Sequence, residues 1–438
     1  MLHRPIRRIS AAVAATTALA FSASALAFTP PPFPRLGGVE NGGGANYGDP
    51  AFQSDLARLS VILLGYRPGA TWGGESMETI VKAIKAKNSG ALVFLYTDMD
   101  GLSTSGTDAL SPLRDKINAM NWWLRSGTSL VPSFYGHGEY TINSTPYTAK
   151  DSSGENSVDW ITRWYVSNFY TPNPDIAGLF MDNVFPHPRV GGDWQDSGSV
   201  LGSTDSGAAS ALQAGYERWF SLAHQLMPGK YQIGNIGGWS TMTASVPAGY
   251  QGMTNGGVLE AIIGQSYSAE TWGGWTAMMK EYNTAMQATS APKLVIFNQW
   301  GSPTDYQSFR YGFAACLMND GYYSFTDGSA GYNTVPWFDE FNAKLGAATS
   351  QPPAGAWQKG VWRRDFANGI ALVNPKGNGP QTVTLEQPFV KIKGSQVPGV
   401  NNGQTVTTVT LQDRDGIILL RKAPLRQPKA PTGVTATG

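Results

Sequence analysis

The sequence predicts an α/β fold, a (β/α)8 TIM barrel followed by a small C-terminal all-β sandwich. Three observations carry that reading. Eight short apolar runs, each leading toward a helix-patterned stretch, recur between Val61 and Thr326 with a beat of roughly thirty to forty residues. No glycine fingerprint follows the first run, which separates the pattern from an open, doubly wound nucleotide-binding sheet. After residue 356 the helical period stops, and short alternating strands with turn signals take over.

The elements follow in order. Val61-Ile62-Leu63-Leu64 is the first predicted strand. The helix after it places Met77, Ile80, Val81 and Ile84 on one face and ends at Gly90. Leu92 to Tyr96 is the second strand. Ser111-Pro112 reads as an N-cap with proline at the first helical position, and Leu113, Ile117, Met120 and Leu124 share one face. Leu130 to Tyr135 is predicted as the third strand, Val158 to Tyr170 as a helix, and Ile176 to Val184 as the fourth strand. Leu212, Tyr216, Trp219, Ala223 and Leu226 mark a helix that Pro228-Gly229 stops. Tyr231 to Ile236 and Val258 to Ile263 are the fifth and sixth strands. Trp275 to Ala288 is a helix, and Leu294 to Gln299 the seventh strand. Phe309, Phe313, Cys316 and Leu317 line one helix face before the eighth strand at Tyr322 to Thr326. The barrel is thus expected over 55–350. A Pro/Gly/Ala linker leads to the β-domain over 356–424, and 425–438 is a Pro/Thr-rich tail or linker.

Residues 1–27 have the three-part layout of a secretory signal peptide. Arg4, Arg7 and Arg8 come first, then an apolar run from Ile9 to Phe21, then Ala25-Leu26-Ala27 at the cleavage positions. The apolar part is too short to span a bilayer, although an anchor that stays attached is the alternative. A secreted or periplasmic location is expected. No later run approaches a membrane span, so no stable membrane insertion is expected after cleavage. Residues 28–54, Pro-rich and then Gly-rich, read as an extended arm.

Composition excludes several functions. The formal net charge is +1, which gives no basic face for nucleic acid. Cys316 is the single cysteine, so no intramolecular disulfide or iron–sulfur site can form, and the apolar helix face makes it a core residue. Four scattered histidines leave no metal site to expect, and no cofactor is implied. His137 and His187 read as loop histidines. Charged residues make up only 14%, against 14 tryptophans, a balance that suits aromatic stacking on sugar rings, although most such rings belong to the core.

In such a barrel the chemistry sits at the C-terminal ends of the strands. The residues there are Tyr66, Tyr96, Asp98, Asp100, Tyr135, Asp182-Asn183, Asn235, Glu260, Asn298-Gln299-Trp300 and Asp327, rich in carboxylates, amides and aromatics. Glycosidic hydrolysis needs these types: one carboxylic acid protonates the leaving oxygen, and a second attacks the anomeric carbon or activates water. Asp182 is the strongest candidate, because a buried strand ending in Asp-Asn points to a polar site; a turn carboxylate is the alternative. Glu260 lies inside an apolar strand, where burial favours the protonated form of a general acid; a structural ion pair is its alternative. Asp98, Asn183, Asn235, Gln299 and Asp327 are expected to bind sugar hydroxyls, Tyr66 to contact the substrate, and Trp239 and Trp300 to stack on rings. Asp98 and Asp327 have a helix cap as their alternative, and Glu139 and Glu270 are reserve acids. No Gly-x-Ser-x-Gly elbow or P-loop appears. The expected partner is a poly- or oligosaccharide. A non-catalytic carbohydrate-binding protein on the same scaffold is the competing reading.

The stretch Asp175-Ile176-Ala177-Gly178-Leu179-Phe180-Met181-Asp182-Asn183 resembles the fourth-strand motif of several barrel glycoside hydrolases. Val258-Leu259-Glu260 resembles their later glutamate strand. The Asn368 to Pro375 phrase and Asp415 to Leu419 resemble their C-terminal β-domain. Over residues 55 to 424 the chain is most similar to hypothetical glycoside hydrolase family fifteen, related in layout to endo-α-galactosaminidase-like and α-galactosidase-like barrels. The resemblance implies Asp182 and Glu260 as the catalytic pair. Its α-galactosidase side implies Asp182 as nucleophile.

Overall fold

The computed structural model describes residues 28–44, 46–236 and 246–422. The signal-like segment, the 425–438 tail and Trp239 therefore lie outside the described residues. Eight parallel strands form the first sheet in chain order: β1 (Gly37–Glu40), β2 (Val61–Leu64), β3 (Leu92–Thr97), β4 (Gly178–Met181), β5 (Tyr231–Gly234), β6 (Gly256–Ile263), β7 (Leu294–Gly301) and β8 (Tyr322–Asp327). Leu36 bridges Tyr323 in parallel, and the Tyr323 N–H donates to the Arg35 carbonyl at 2.9 Å, which closes the ring between β8 and β1.

The strand count of eight holds, but two assignments change. The first strand comes from the Gly-rich arm and pairs Gly37 with Val61 through Glu40 with Leu64. Its glycines are there for close approach rather than for flexibility. A Cβ on Gly38 would lie 2.5 Å from Leu59 Cδ1. The predicted third strand at Leu130 to Tyr135 is not in the barrel. Only Ser129–Leu130 is extended, in a two-residue ladder with Arg125–Ser126. Pro132 offers no N–H to a central strand, and Gly136, His137 and Gly138 all have positive φ, so the segment turns back on itself and pairs locally, Pro132 bridging Tyr140, instead of joining the barrel.

The outer helices are α1 (Pro50–Leu56), α2 (Met77–Lys87), α3 (Ser111–Met120), α4 (Ser157–Tyr165), α5 (Ser206–Leu226), α6 (Ala269–Ala288) and α7 (Tyr306–Cys316). Ser76 caps α2 by accepting from Thr79 N–H, and Asp205 caps α5 by accepting from Gly207 N–H. The face of α2 that its spacing marks as apolar, Met77, Ile80, Val81 and Ile84, is the buried one. Cys316 is buried, as its helix face implies. Among the described residues no helix is long and apolar enough to cross a membrane.

Five antiparallel strands follow: β9 (Trp362–Phe366), β10 (Gly369–Asn374), β11 (Gln381–Lys391), β12 (Thr405–Leu411) and β13 (Asp415–Arg421), in the order β9-β10-β13-β11-β12. On β10, Ala371 and Val373 join the barrel's outer core, while Ile370 and Leu372 join the sheet's own apolar cluster. Register breaks between Thr384 and Phe389, so β11 bends and pairs with both β12 and β13. The contact with α7 is close: a Cβ on Gly416 would lie 2.5 Å from the Arg310 carbonyl. The buried Arg310–Asp415 pair, 2.9 Å, ties the sheet to that helix.

Candidate active site

The barrel interior fixes where the site must be. Val39, Leu63, Phe94, Phe180, Ile233, Val258, Ile296 and Tyr322, one from each strand, share a single buried cluster inside the ring. Side chains alternate along a strand, so two residues further on the chain points inward again, at the C-terminal mouth. Those positions are Asn41, Gly65, Tyr96, Asp182, Asn235, Glu260, Asn298 and Ser324. Both predicted carboxylates are thus in the same layer, on β4 and β6, with Asn235 on the strand between them.

Hydrogen bonds join the layer. Asn235 Nδ2 donates to Glu260 Oε2 at 2.8 Å. Tyr332 OH donates to Glu260 Oε1 at 2.5 Å. Tyr96 OH donates to Asp182 Oδ2 at 2.6 Å, and the Asn183 N–H donates to Asp182 Oδ1 at 2.9 Å. Asn183 Nδ2 donates to Asp98 Oδ2 at 3.2 Å, and Asn183 Oδ1 accepts from Tyr135 OH at 2.8 Å. Asn298 Oδ1 accepts from the Ala261 N–H, and its Nδ2 donates to Ser324 and Thr326.

Both candidate carboxylates are followed by a residue in the left-handed region, Asn183 at φ 57° and Ala261 at φ 46°. Asparagine tolerates that conformation; alanine does so at a cost of about 1 kcal/mol. Ala261 lies where the β6–β7 register shifts, between Leu259 and Ile263. Asn298 holds the peptide that turns there, so the irregularity is built into the strand that carries Glu260.

Electrostatics separates the acids. Burial, then the nearby Glu260 charge, pushes Asp182 up to about 6, against hydrogen bonds from Tyr96, the Asn183 N–H and Asn235 that favour its anion. Burial, then the charges of Asp182 and Asp100, holds Asp98 well above the usual carboxylate range. Burial also raises Asp100 to about 6.

Two cavities open beside this layer. One, of about 520 Å3, is lined by Glu260, Asn235, Asn183, Tyr135, Tyr267 and Trp272. The other, of about 570 Å3, is lined by Tyr96, Asp98, Tyr66, Trp72, Arg67 and Glu139.

The remaining predicted residues divide. Tyr66 lies in the second cavity, edge-on to Phe169 with ring centroids 4.7 Å apart. Trp300 packs edge-on against Tyr332, centroids 5.0 Å apart, beside Glu260. Gln299 is not at the mouth. It points outward to α7, where Nε2 donates to the Ser308 carbonyl at 3.0 Å and Oε1 accepts from Tyr323 OH at 2.7 Å. Its neighbour Asn298 takes the inward place. Asp327 closes its own turn, accepting from Ser329 N–H and Oγ, which is the cap-like role given as its alternative. Glu270 is buried against Arg414, 2.9 Å, where the barrel meets the C-terminal sheet. His137 and His187 are both exposed outside regular elements.

Sequence reasoning places Asn298 at the strand end but gives the binding role to Gln299 beside it, because β7 is buried on both faces and shows no alternation to count from. Tyr332 lies beyond the last strand, and no sequence signal marks it. Among the described residues no group of three or more His, Cys, Asp or Glu side chains could hold a metal ion.

Residues 85–370, well over half of the chain, match the family model described as hypothetical glycosyl hydrolase family 15. No curated protein matches the chain. Among solved structures it is similar to the glycoside hydrolase domain of PelA from Pseudomonas aeruginosa (12% identity, 67% of this chain and 95% of that chain, TM-score 0.38). It is also similar to an alpha-amylase from Geobacillus thermoleovorans (9% identity, 87% and 94%, TM-score 0.48). A third is the GH36 alpha-galactosidase AgaA from Geobacillus stearothermophilus (12% identity, 89% and 55%, TM-score 0.46). With the family match spanning both carboxylate-bearing strands, the chain belongs to hypothetical glycosyl hydrolase family 15.

Proposed function

We propose that this chain is an exported glycoside hydrolase that cleaves a poly- or oligosaccharide, with Asp182 as nucleophile or base and Glu260 as general acid. One observation carries the reading. Two carboxylates at the ends of β4 and β6 share the Asn235 amide of β5, and burial, then the Glu260 charge, raises Asp182 to about 6. Such a pair resists double ionisation, so the two carboxyls can share one proton, and the sugar oxygen that approaches Glu260 draws it there. Family membership favours the same chemistry.

In this reading Glu260 gives its proton to the glycosidic oxygen as the C–O bond breaks. Asp182 either bonds to the anomeric carbon or takes a proton from the water that does. Water's oxygen ends on the anomeric carbon, and a new reducing end appears. Tyr96 and the Asn183 N–H orient the Asp182 anion, while Tyr332 and Asn235 aim Glu260. Trp300 and Tyr66 offer aromatic faces to sugar rings, and Asp98 a buried carboxyl to a hydroxyl. The Arg-rich start, apolar run and Ala25-Leu26-Ala27 of the first segment support a secreted or periplasmic location.

The test incubates residues 28–438 with α- and β-linked polysaccharides and assays new reducing ends, with Asp182→Asn and Glu260→Gln alongside. Cleavage by the wild type alone, with both variants folded, is expected. Cleavage that survives both substitutions would refute the pair. Binding without cleavage would favour the non-catalytic carbohydrate-binding protein.

A further inference from the structure

The two cavities do not lie on the same side of the carboxylates. Glu260 lines the first, whereas Tyr96, the phenol bonded to Asp182, lines the second. Between them runs one hydrogen-bonded bridge: Tyr135 to Asn183 to Asp98, with Tyr135 and Asn183 in the first cavity and Asp98 in the second. This row of side chains borders both lobes.

Both lobes have room and aromatic walls. Each lies within the range of roughly 300–1,000 Å3 that takes a drug-sized ligand, which is space for about two sugar rings. The first presents Tyr267 and Trp272; Trp272 is 75% exposed, the most of any large apolar side chain described. An indole left in water at a cavity rim is a binding surface rather than a core residue. The second presents Tyr66 and Trp72, whose rings lie 6.4 Å apart. Each lobe also carries an exposed arginine, Arg189 in the first and Arg67 in the second. Among the described residues neither has a carboxylate within ion-pair distance. Arg189 is instead stacked over Phe134 and Phe185, at 4.2 and 4.8 Å from their centroids. A pocket that receives a chain end would be walled on one side of the bond to be cleaved; this cleft has a furnished lobe on each side.

We infer that an internal segment of a polysaccharide lies across both lobes, with rings stacked on Trp72 on one side and on Trp272 on the other, so that the enzyme cuts within chains. The inference rests on the glycosidase reading and adds the binding mode to it. The layer between the lobes holds Asp182, Asp98 and Glu260, which favours an uncharged segment at the point of cleavage over an anionic one.

The test needs no turnover. Asp182→Asn protein with 15N-labelled tryptophan is titrated with dimers and hexamers of glucose, galactose and N-acetylhexosamine, each α- and β-linked. Trp72→Phe and Trp272→Phe assign the two indole signals. One hexamer is expected to shift both indoles and to bind at least about tenfold tighter than its dimer, each tryptophan replacement weakening it about tenfold. A shift confined to one indole, or affinity that does not rise from dimer to hexamer, would overturn the two-sided cleft and leave the glycosidase reading standing. No shift with any probe would overturn both.

Discussion

Replacing Asp182 with asparagine should make the protein more stable at neutral pH while removing its activity. Burial and the Glu260 charge raise the Asp182 carboxyl from its ordinary 3.8 to about 6. The folded state therefore holds this proton more tightly than the unfolded chain does. Ionising the group in the fold costs up to about 3 kcal/mol, since one pKa unit is about 1.4 kcal/mol. That cost is fully present above pH 6. It fades as pH falls from 6 toward 3.8, because the folded state takes up the proton first. Asparagine never ionises. It keeps an acceptor for Tyr96 and loses the one that serves the Asn183 N–H, a loss of about 1 kcal/mol. The net gain near pH 7.5 is about 1–2 kcal/mol, which in a chain of this size is a rise of a few degrees in Tm. Thermal unfolding of both proteins at pH 7.5 and at pH 4 is the assay. The variant should melt higher at pH 7.5, with the gap closing at pH 4. A variant that melts lower at pH 7.5, or a gap that ignores pH, would refute the buried, raised carboxyl at Asp182.

Other expectations follow from the same contacts. Activity that needs the Asp182 anion should rise with pH through about 6; in Tyr96→Phe the loss of a donor to that anion should move this acid limb upward, as a kcat/KM profile will read. Arg310→Ala should cost about 3 kcal/mol in denaturant unfolding by leaving Asp415 buried and unpaired, and Arg310→Met with Asp415→Leu should recover most of it. Gly178→Ala would place a Cβ 1.6 Å from the Tyr231 carbonyl oxygen, so the β4–β5 pairing should fail and soluble yield collapse.

Much of this molecule was readable because its strands are short, apolar and separated by helices with clear faces. Asp182 stood out for a physical reason: an apolar run that ends abruptly in Asp-Asn has few uses for those groups except a polar mouth. Glu260 stood out the same way, as a charge set in a hydrophobic strand. The arm at Gly37–Glu40 was misread because glycine marks both flexible linkers and places where backbones touch, and only the contact with Leu59 separates the two. Leu130 to Tyr135 has strand-like composition, yet Pro132 and the glycines after it fold it into a local hairpin and keep it out of the barrel. Gln299 and Asn298 show the limit of pattern reading: on a strand buried on both faces, parity is set by the neighbours of β7 and not by its sequence. Tyr332 reaches Glu260 from 72 residues further along the chain, a contact that no local pattern encodes.

The central question is whether Asp182 does chemistry or merely helps to bind. The decisive measurement compares turnover and affinity of Asp182→Asn with wild type on the first glycan found to be cleaved. Turnover should fall by at least about a thousandfold while Kd changes by no more than about threefold, as for a group whose interaction is made in the transition state. Turnover within about tenfold of wild type would contradict the assignment.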